Sequence, residues 1–199
     1  MTAFTATQAG AISDGGTFGL TSPGVKGTDW PNETDDLIFG GFNLTQGSAT
    51  AVGSMVGGNN TFTLTGSFTC TDVREVRTIV PNLITTTLDF GTSGTDPGCT
   101  YSGTGRAIDC QIGGIVTTVT GDVVNSGSGY GFYNSGTCTD FAGTLKNRGS
   151  GVAAHNAGTW TAFTGTLRVE SPAASAISGT AIPFSGTITG GILLSQVDA

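Results

Sequence analysis

Residues 135–145 read SGTCTDFAGTL, residues 157–167 read AGTWTAFTGTL and residues 178–188 read SGTAIPFSGTI, an alignment of eleven positions without a gap. Their central glycines, Gly143, Gly165 and Gly186, stand 22 and 21 residues apart, and a further step of 22 reaches Gly121 in GGIVTTVTGDV (113–123). A fifth, weaker copy is GNNTFTLTGSF (58–68), around Gly66. Side chains alternate between the two faces of a strand. Positions seven and eleven are apolar in every copy: Phe141/Leu145, Phe163/Leu167, Phe184/Ile188, Val119/Val123 and Leu64/Phe68. The glycine lies between them, and the intervening positions are small or polar. One such unit has nothing to bury its apolar face against, whereas units stacked in register bury it on each other. The pattern therefore predicts an all-β, single-domain parallel β-solenoid of about 22 residues per coil. The same spacing also suits an antiparallel hairpin array or β-sandwich. Pro183 falls in the last unit, where a missing N–H costs least.

Working outward, Gly66 and Gly121 are two and a half units apart, so residues of about 70–110 are expected to hold an irregular insertion in the repeat region 51–199. Residues 1–50 read as an N-terminal cap and entry strand, the strand running over 37–44. Composition agrees with many short strands and turns: 34 Gly, 11% charged residues, and no long runs of helix formers. The 37% hydrophobic content exceeds what a disordered tract carries.

In the entry region, Trp30-Pro31 is followed by a polar loop, Asp35-Asp36, Leu37-Ile38 and Gly40-Gly41. This arrangement resembles the entry to right-handed β-helices of phage and bacterial surface proteins. The resemblance implies a β-helix packed on a cap. It also implies an architectural role on a capsid or tail.

A net charge of −7, with Lys26, Arg74, Arg77, Arg106, Lys146, Arg148 and Arg168 scattered, disfavours nucleic acid and anionic membranes as partners. No apolar run of roughly 20 residues suggests a membrane span. The first residues lack the basic and apolar parts of a secretory signal. Cys70, Cys99, Cys110 and Cys138 form no CxxC pair, and His155 is the single histidine. Buried thiols are expected rather than a zinc site, and a disulfide framework would need an oxidising compartment.

Candidate chemistry is sparse. Asp29, Asn32, Glu33, Asp35 and Asp36 could offer oxygens to calcium but lack EF-hand spacing, and such residues also serve turns. Carboxylates of a polysaccharide-degrading β-helix would cluster on one face; Asp109, Asp122, Asp140 and Glu170 are isolated. His155 reads as a loop residue without a positioned partner. Thr-x-Thr pairs at 61/63, 118/120, 137/139 and 159/161 admit ice binding, although they do not keep one column. Trp160, in the column of Cys138 and Ala181, faces outward by parity. With Tyr130, Phe132 and Tyr133, read as a loop, it is the candidate partner interface.

These readings converge on a non-enzymatic virion structural protein, a capsid decoration or head/tail appendage subunit, with no catalytic residue, metal or cofactor. Its partners would be itself, as a homotrimer, and other virion proteins such as a major capsid protein. It would be made in the host cytoplasm and reside in the virion. The alternative is a carbohydrate-binding or adhesin surface module.

Overall fold

The structure, a computed structural model, describes residues 2–80, 86–90, 98–171 and 175–189. It is nearly all β, wound as a parallel solenoid of about 6 turns with about 22 residues per turn. Every strand pairing among the described residues is parallel, which excludes the hairpin array and the antiparallel sandwich.

The last coils show the rule most plainly. In chain order, they contain β10 (Ile115–Thr120), β11 (Asp122–Asn125), β12 (Tyr130–Asn134), β13 (Thr137–Phe141), β14 (Thr144–Asn147), β15 (Val152–Asn156), β16 (Thr159–Phe163), β17 (Thr166–Val169), β18 (Ser175–Gly179) and β19 (Thr187–Thr189). Strands of one face pair from coil to coil: β10 with β13 and β13 with β16 in one ladder, β11, β14, β17 and β19 in a second, β12, β15 and β18 in a third. A coil is thus three strands around three corners, and the solenoid has three faces.

Earlier strands extend the same ladders. They are β1 (Ala3–Thr5), β2 (Gly10–Ala11), β3 (Asp36–Ile38), β4 (Leu44–Thr45), β5 (Ala51–Thr63), β6 (Phe68–Val80), β7 (Thr86–Asp89), β8 (Gly98–Tyr101) and β9 (Arg106–Cys110). The long β5 and β6 each run across all three faces. A 3-10 turn at Gly15–Phe18 lies between β2 and β3, capped by Asp14, whose carboxylate accepts from Gly16 N at 2.8 Å. The expected strand over 37–44 is instead two short ones, β3 and β4. Gly40 and Gly41 between them take φ of 60° and 93°, which turns a corner that residues with a side chain rarely make.

The pairing places the register of the irregular region. Coils are 18 residues long at β3 to β6 (Asp36↔Ser54↔Asp72). From β6 the offset grows along the coil, from Phe68↔Leu88 through Asp72↔Gly98 to Thr78↔Ile108. It is 24 for Tyr130↔Arg106 and settles at 22 for Thr137↔Thr159. Despite these changes of offset, all three faces stay paired in parallel, with one register irregularity between Val116 and Thr118 in β10.

Inside, Phe141 stacks on Phe163 with centroids 5.0 Å apart, and Phe163 on Phe184 at 4.8 Å. Leu145 and Leu167 form the neighbouring buried column, and Ile188, next in register on the last described coil, is exposed there. Burying each inward side chain is worth about 1.5–3 kcal/mol. The repeated unit is not one strand, however. It is the end of one strand and the start of the next, with the glycine at the corner between them. There a Cβ on Gly143 would sit 2.1 Å from Gly121 O, and one on Gly165 2.0 Å from Gly143 O. Successive corners approach too closely for any side chain. Pro183, in the last described coil, only accepts, its carbonyl receiving Phe163 N–H at 2.9 Å.

Two buried asparagine pairs hold the other corners. Asn125 Nδ2 donates to Asn147 Oδ1 (3.2 Å) and Gly129 O, while Asn134 Nδ2 donates to Asn156 Oδ1 (2.9 Å) and Thr159 O. Corner carbonyls inside the core would otherwise lack a donor.

Phe163 is held on both sides by ring partners, so Phe163→Ala should lower unfolding stability by about 3–5 kcal/mol. In denaturant titration the midpoint should fall, while Thr161→Ala, exposed on the same strand, should leave it unchanged.

Candidate functional site

Trp160 does not face outward. It is 4% exposed, and its indole Nε1–H donates to Ala162 O at 2.8 Å. Phe132 is fully buried and meets Trp160 edge-on, centroids 4.8 Å apart. Both belong to the core, which corrects their reading as an interface. The reason is local. Along β16 the inward residues are Trp160 and Phe163, three apart, with Thr161 exposed and Ala162 half-buried between them. Strand β13 has the same three-residue step, with Cys138 and Phe141 inward, and simple alternation fails there.

Tyr130 and Tyr133 lie on strand β12 rather than in a loop, and both are half-buried on the outer side of the third face. Pairing places Tyr133 between Asp109 on β9 and His155 on β15, and Ser178 follows on β18. Asp109 is a fully buried carboxylate held by Arg106 (Nη1 to Oδ1, 2.7 Å) and by Arg77. The Arg106 guanidinium carbon lies 3.4 Å from the centre of the Tyr133 ring, the His155 ring stacks on Tyr133 at 4.6 Å, and Tyr130 meets Tyr133 edge-on at 5.2 Å. Cation, phenol ring and imidazole therefore form one column along the solenoid axis. His155 sits on a strand, not in a loop.

His155 Nδ1 is 2.8 Å from Ser178 Oγ, a Ser/His contact that sequence reasoning missed. Among the described residues no group hydrogen-bonds the other ring nitrogen. Asp109, two strands along the same ladder, is held by two arginines and is not the orienting acid that a nucleophilic triad would place on this imidazole. Burial, and then the charge of Arg106, lower the His155 pKa.

A second feature lies on the second face, over β1, β3, β5 and β6. It is a groove of about 630 Å³. Asp36, Ser54 and Asp72 form one outward column, and Ile38, Val56 and Arg74 the next. Glu33 lies on its rim. Ser54 Oγ donates to Asp36 Oδ1 at 2.7 Å, and Asp72 pairs with Arg74 at 2.6 Å. Ile38 and Val56 are 36% and 43% exposed, an aliphatic floor open to water. Nothing in the repeat alignment pointed to it, because these 18-residue coils fall outside the 22-residue pattern.

The other acids are engaged locally. Asp29 accepts Val25 N–H, and buried Asp35 accepts those of Thr2 and Asn32. Among the described residues no group of three or more His, Cys, Asp or Glu is arranged to hold a metal ion. Asp122 meets Lys146 at 2.7 Å, and Asp140 meets Thr164 Oγ1 at 2.8 Å. Thr118 pairs with Asp140 and Asp140 with Ala162, so that threonine column is not continued.

All four cysteines are buried and free. Burial pushes the thiol pKa of Cys70 and Cys99 up to about 12 and of Cys110 to about 11, and raises that of Cys138 as well.

Comparison of the chain with known protein families, curated proteins and solved structures gives no match.

Two outcomes are expected. At about pH 8 the thiolate fraction is negligible, so iodoacetamide should leave the native chain unlabelled and modify all four cysteines after denaturation, as read by intact mass. The His155 pKa lies lower in the folded chain than in the unfolded one, so the unfolded chain binds more protons. Stability should then fall as pH drops from about 7 through about 6.5 and below. The melting temperature should fall less over that range in His155→Gln, whose side chain faces the same Arg106, Tyr130, Tyr133 and Ser178 but does not titrate.

Proposed function

We propose that this chain is a non-enzymatic architectural protein, a rigid subunit that works by its shape and surface within a larger assembly. One observation carries the reading: the outer polar side chains of the regular coils bond to those of the next coil instead of converging on a point. Lys146 meets Asp122, Arg148 meets Glu170 at 2.8 Å, Asp140 meets Thr164, and Tyr133 lies between Arg106 and His155. Such pairs tie successive coils together along the axis. Catalysis needs the reverse, several groups aimed at one reacting atom.

The finer reading is a virion protein, a capsid decoration or head/tail appendage subunit, made in the host cytoplasm, self-associating as a homotrimer and contacting a major capsid protein. Its support is the likeness of the Trp30-Pro31 to Gly40-Gly41 segment to phage β-helix entries, with low charge and a parallel solenoid behind it. Solenoid ends and edges favour pairing with further copies. The arrangement at Tyr133 speaks against a sugar-stacking platform there, since a sugar needs a free ring face and both faces of that ring are occupied.

Mass photometry of the purified chain should give a species of three times 19.9 kDa that survives dilution into the nanomolar range. A single-chain mass by sedimentation at high concentration would overturn self-assembly. Glycan-array binding that Tyr130→Ala abolishes would replace the architectural reading with a carbohydrate-binding one.

A further inference from the structure

The groove on the second face plays no part in the coil-to-coil bonding of the regular region, and its charges are unevenly matched. Glu33 is paired with Lys26, and Asp72 with Arg74 through two contacts, Nη2 to Oδ2 at 2.6 Å and Nε to Oδ1 at 3.0 Å. Asp36 has no cation beside it among the described residues. Its one described side-chain partner is the Ser54 hydroxyl, on Oδ1. A carboxylate with one oxygen engaged and the other open therefore stands next to an aliphatic floor of Ile38 and Val56. The cavity, about 630 Å³, falls within the size range of small-molecule sites.

We propose that this groove receives a lysine side chain presented by a different protein, its ammonium on Asp36 Oδ2 and its methylene stem along Ile38 and Val56. Three features select that occupant. An aliphatic floor beside one charge fits a group that is apolar along its length and cationic at its tip. One free oxygen suits the compact ammonium, whereas an arginine fork is best held by two oxygens of one carboxylate. Arg74, in the same column as Ile38 and Val56, repels the second charge of a diamine but not the neutral backbone behind a lysine. A second copy of this chain does not supply the group, because its two lysines, Lys26 and Lys146, are already paired with Glu33 and Asp122. The site is independent of the self-association reading and stands or falls separately from it.

The test is a ¹⁵N-HSQC titration of the full chain with N-acetyl-Gly-Lys-Gly-amide. Saturable shifts should appear at the amides of Asp36 to Ile38 and Ser54 to Val56 and weaken as salt rises. Asp36→Asn, which keeps the acceptor for Ser54, should bind at least about tenfold more weakly, the worth of one charge-assisted hydrogen bond. Val56→Lys, at an exposed position, should fill the groove with its own ammonium and abolish the shifts. Unchanged spectra elsewhere in both variants report an intact fold. The norleucine counterpart should give no shifts. Equal binding of norleucine, an Asp36→Asn variant as tight as the parent, or no saturable shift with lysine would each overturn the proposal. Tighter binding of 1,5-diaminopentane would overturn the partner protein as the source, and tighter binding of the arginine peptide would overturn lysine.

Discussion

Coil-on-coil backbone pairing is the constraint that orders everything else in this molecule. A parallel ladder fixes each residue directly above its counterpart, so a side chain on one coil meets the same kind of side chain on the next. That geometry rewards repetition: ring on ring for Phe141, Phe163 and Phe184, amide on amide for Asn125 with Asn147 and Asn134 with Asn156. It also penalises deviation, because an unsatisfied amide or a misplaced methyl would recur as a defect between two coils. The low charge follows from the same rule, since like charges stacked about 4.8 Å apart repel. Opposite charges meet across neighbouring coils in Asp122 with Lys146 and Arg148 with Glu170, while the two cations that do stack in register, Lys146 and Arg168, each bind a carboxylate, Asp122 and Glu170.

Corners do the work that turns perform in hairpin proteins, by different chemistry. At one corner the column through Gly121, Gly143, Gly165 and Gly186 lets backbones approach to distances no Cβ allows. At others, buried asparagines reach from the strand end to the corner carbonyls. Most of the change in coil length falls between strands, and one residue is taken up as an irregularity within β10, between Val116 and Thr118 opposite β7. The offset between paired residues shifts from 18 through 30 to 22 while each face stays paired from coil to coil.

Much of this was legible in the sequence. The period, the Phe and Leu columns and the glycines could be read from three aligned segments. What parity concealed was the three-residue step between inward side chains in β13 and β16. Val116, Cys138 and Trp160 stand 22 apart and are all apolar, a column signal for burial that alternation counted from Phe163 overruled. Asn125 and Asn147, Asn134 and Asn156, and Tyr133 and His155 carry the same 22-residue spacing, and it marks them as neighbours. Arg106 and Asp109 join that column only through a 24-residue coil, and the groove at Asp36, Ser54 and Asp72 only through 18-residue ones. Neither length belongs to the repeat, so no alignment of units could assemble those sites.

The in-register corners carry an evolutionary consequence. A block cut at one corner glycine and rejoined at the next removes a whole turn of the spiral. The interior column survives the cut, because Val119, Phe141 and Phe163 occupy equivalent places. Duplication or loss of such a block lengthens or shortens the body by about 4.8 Å, one ladder spacing. Gene segments of that size act as a vernier, adjusting reach in small fixed steps while the ends stay the same.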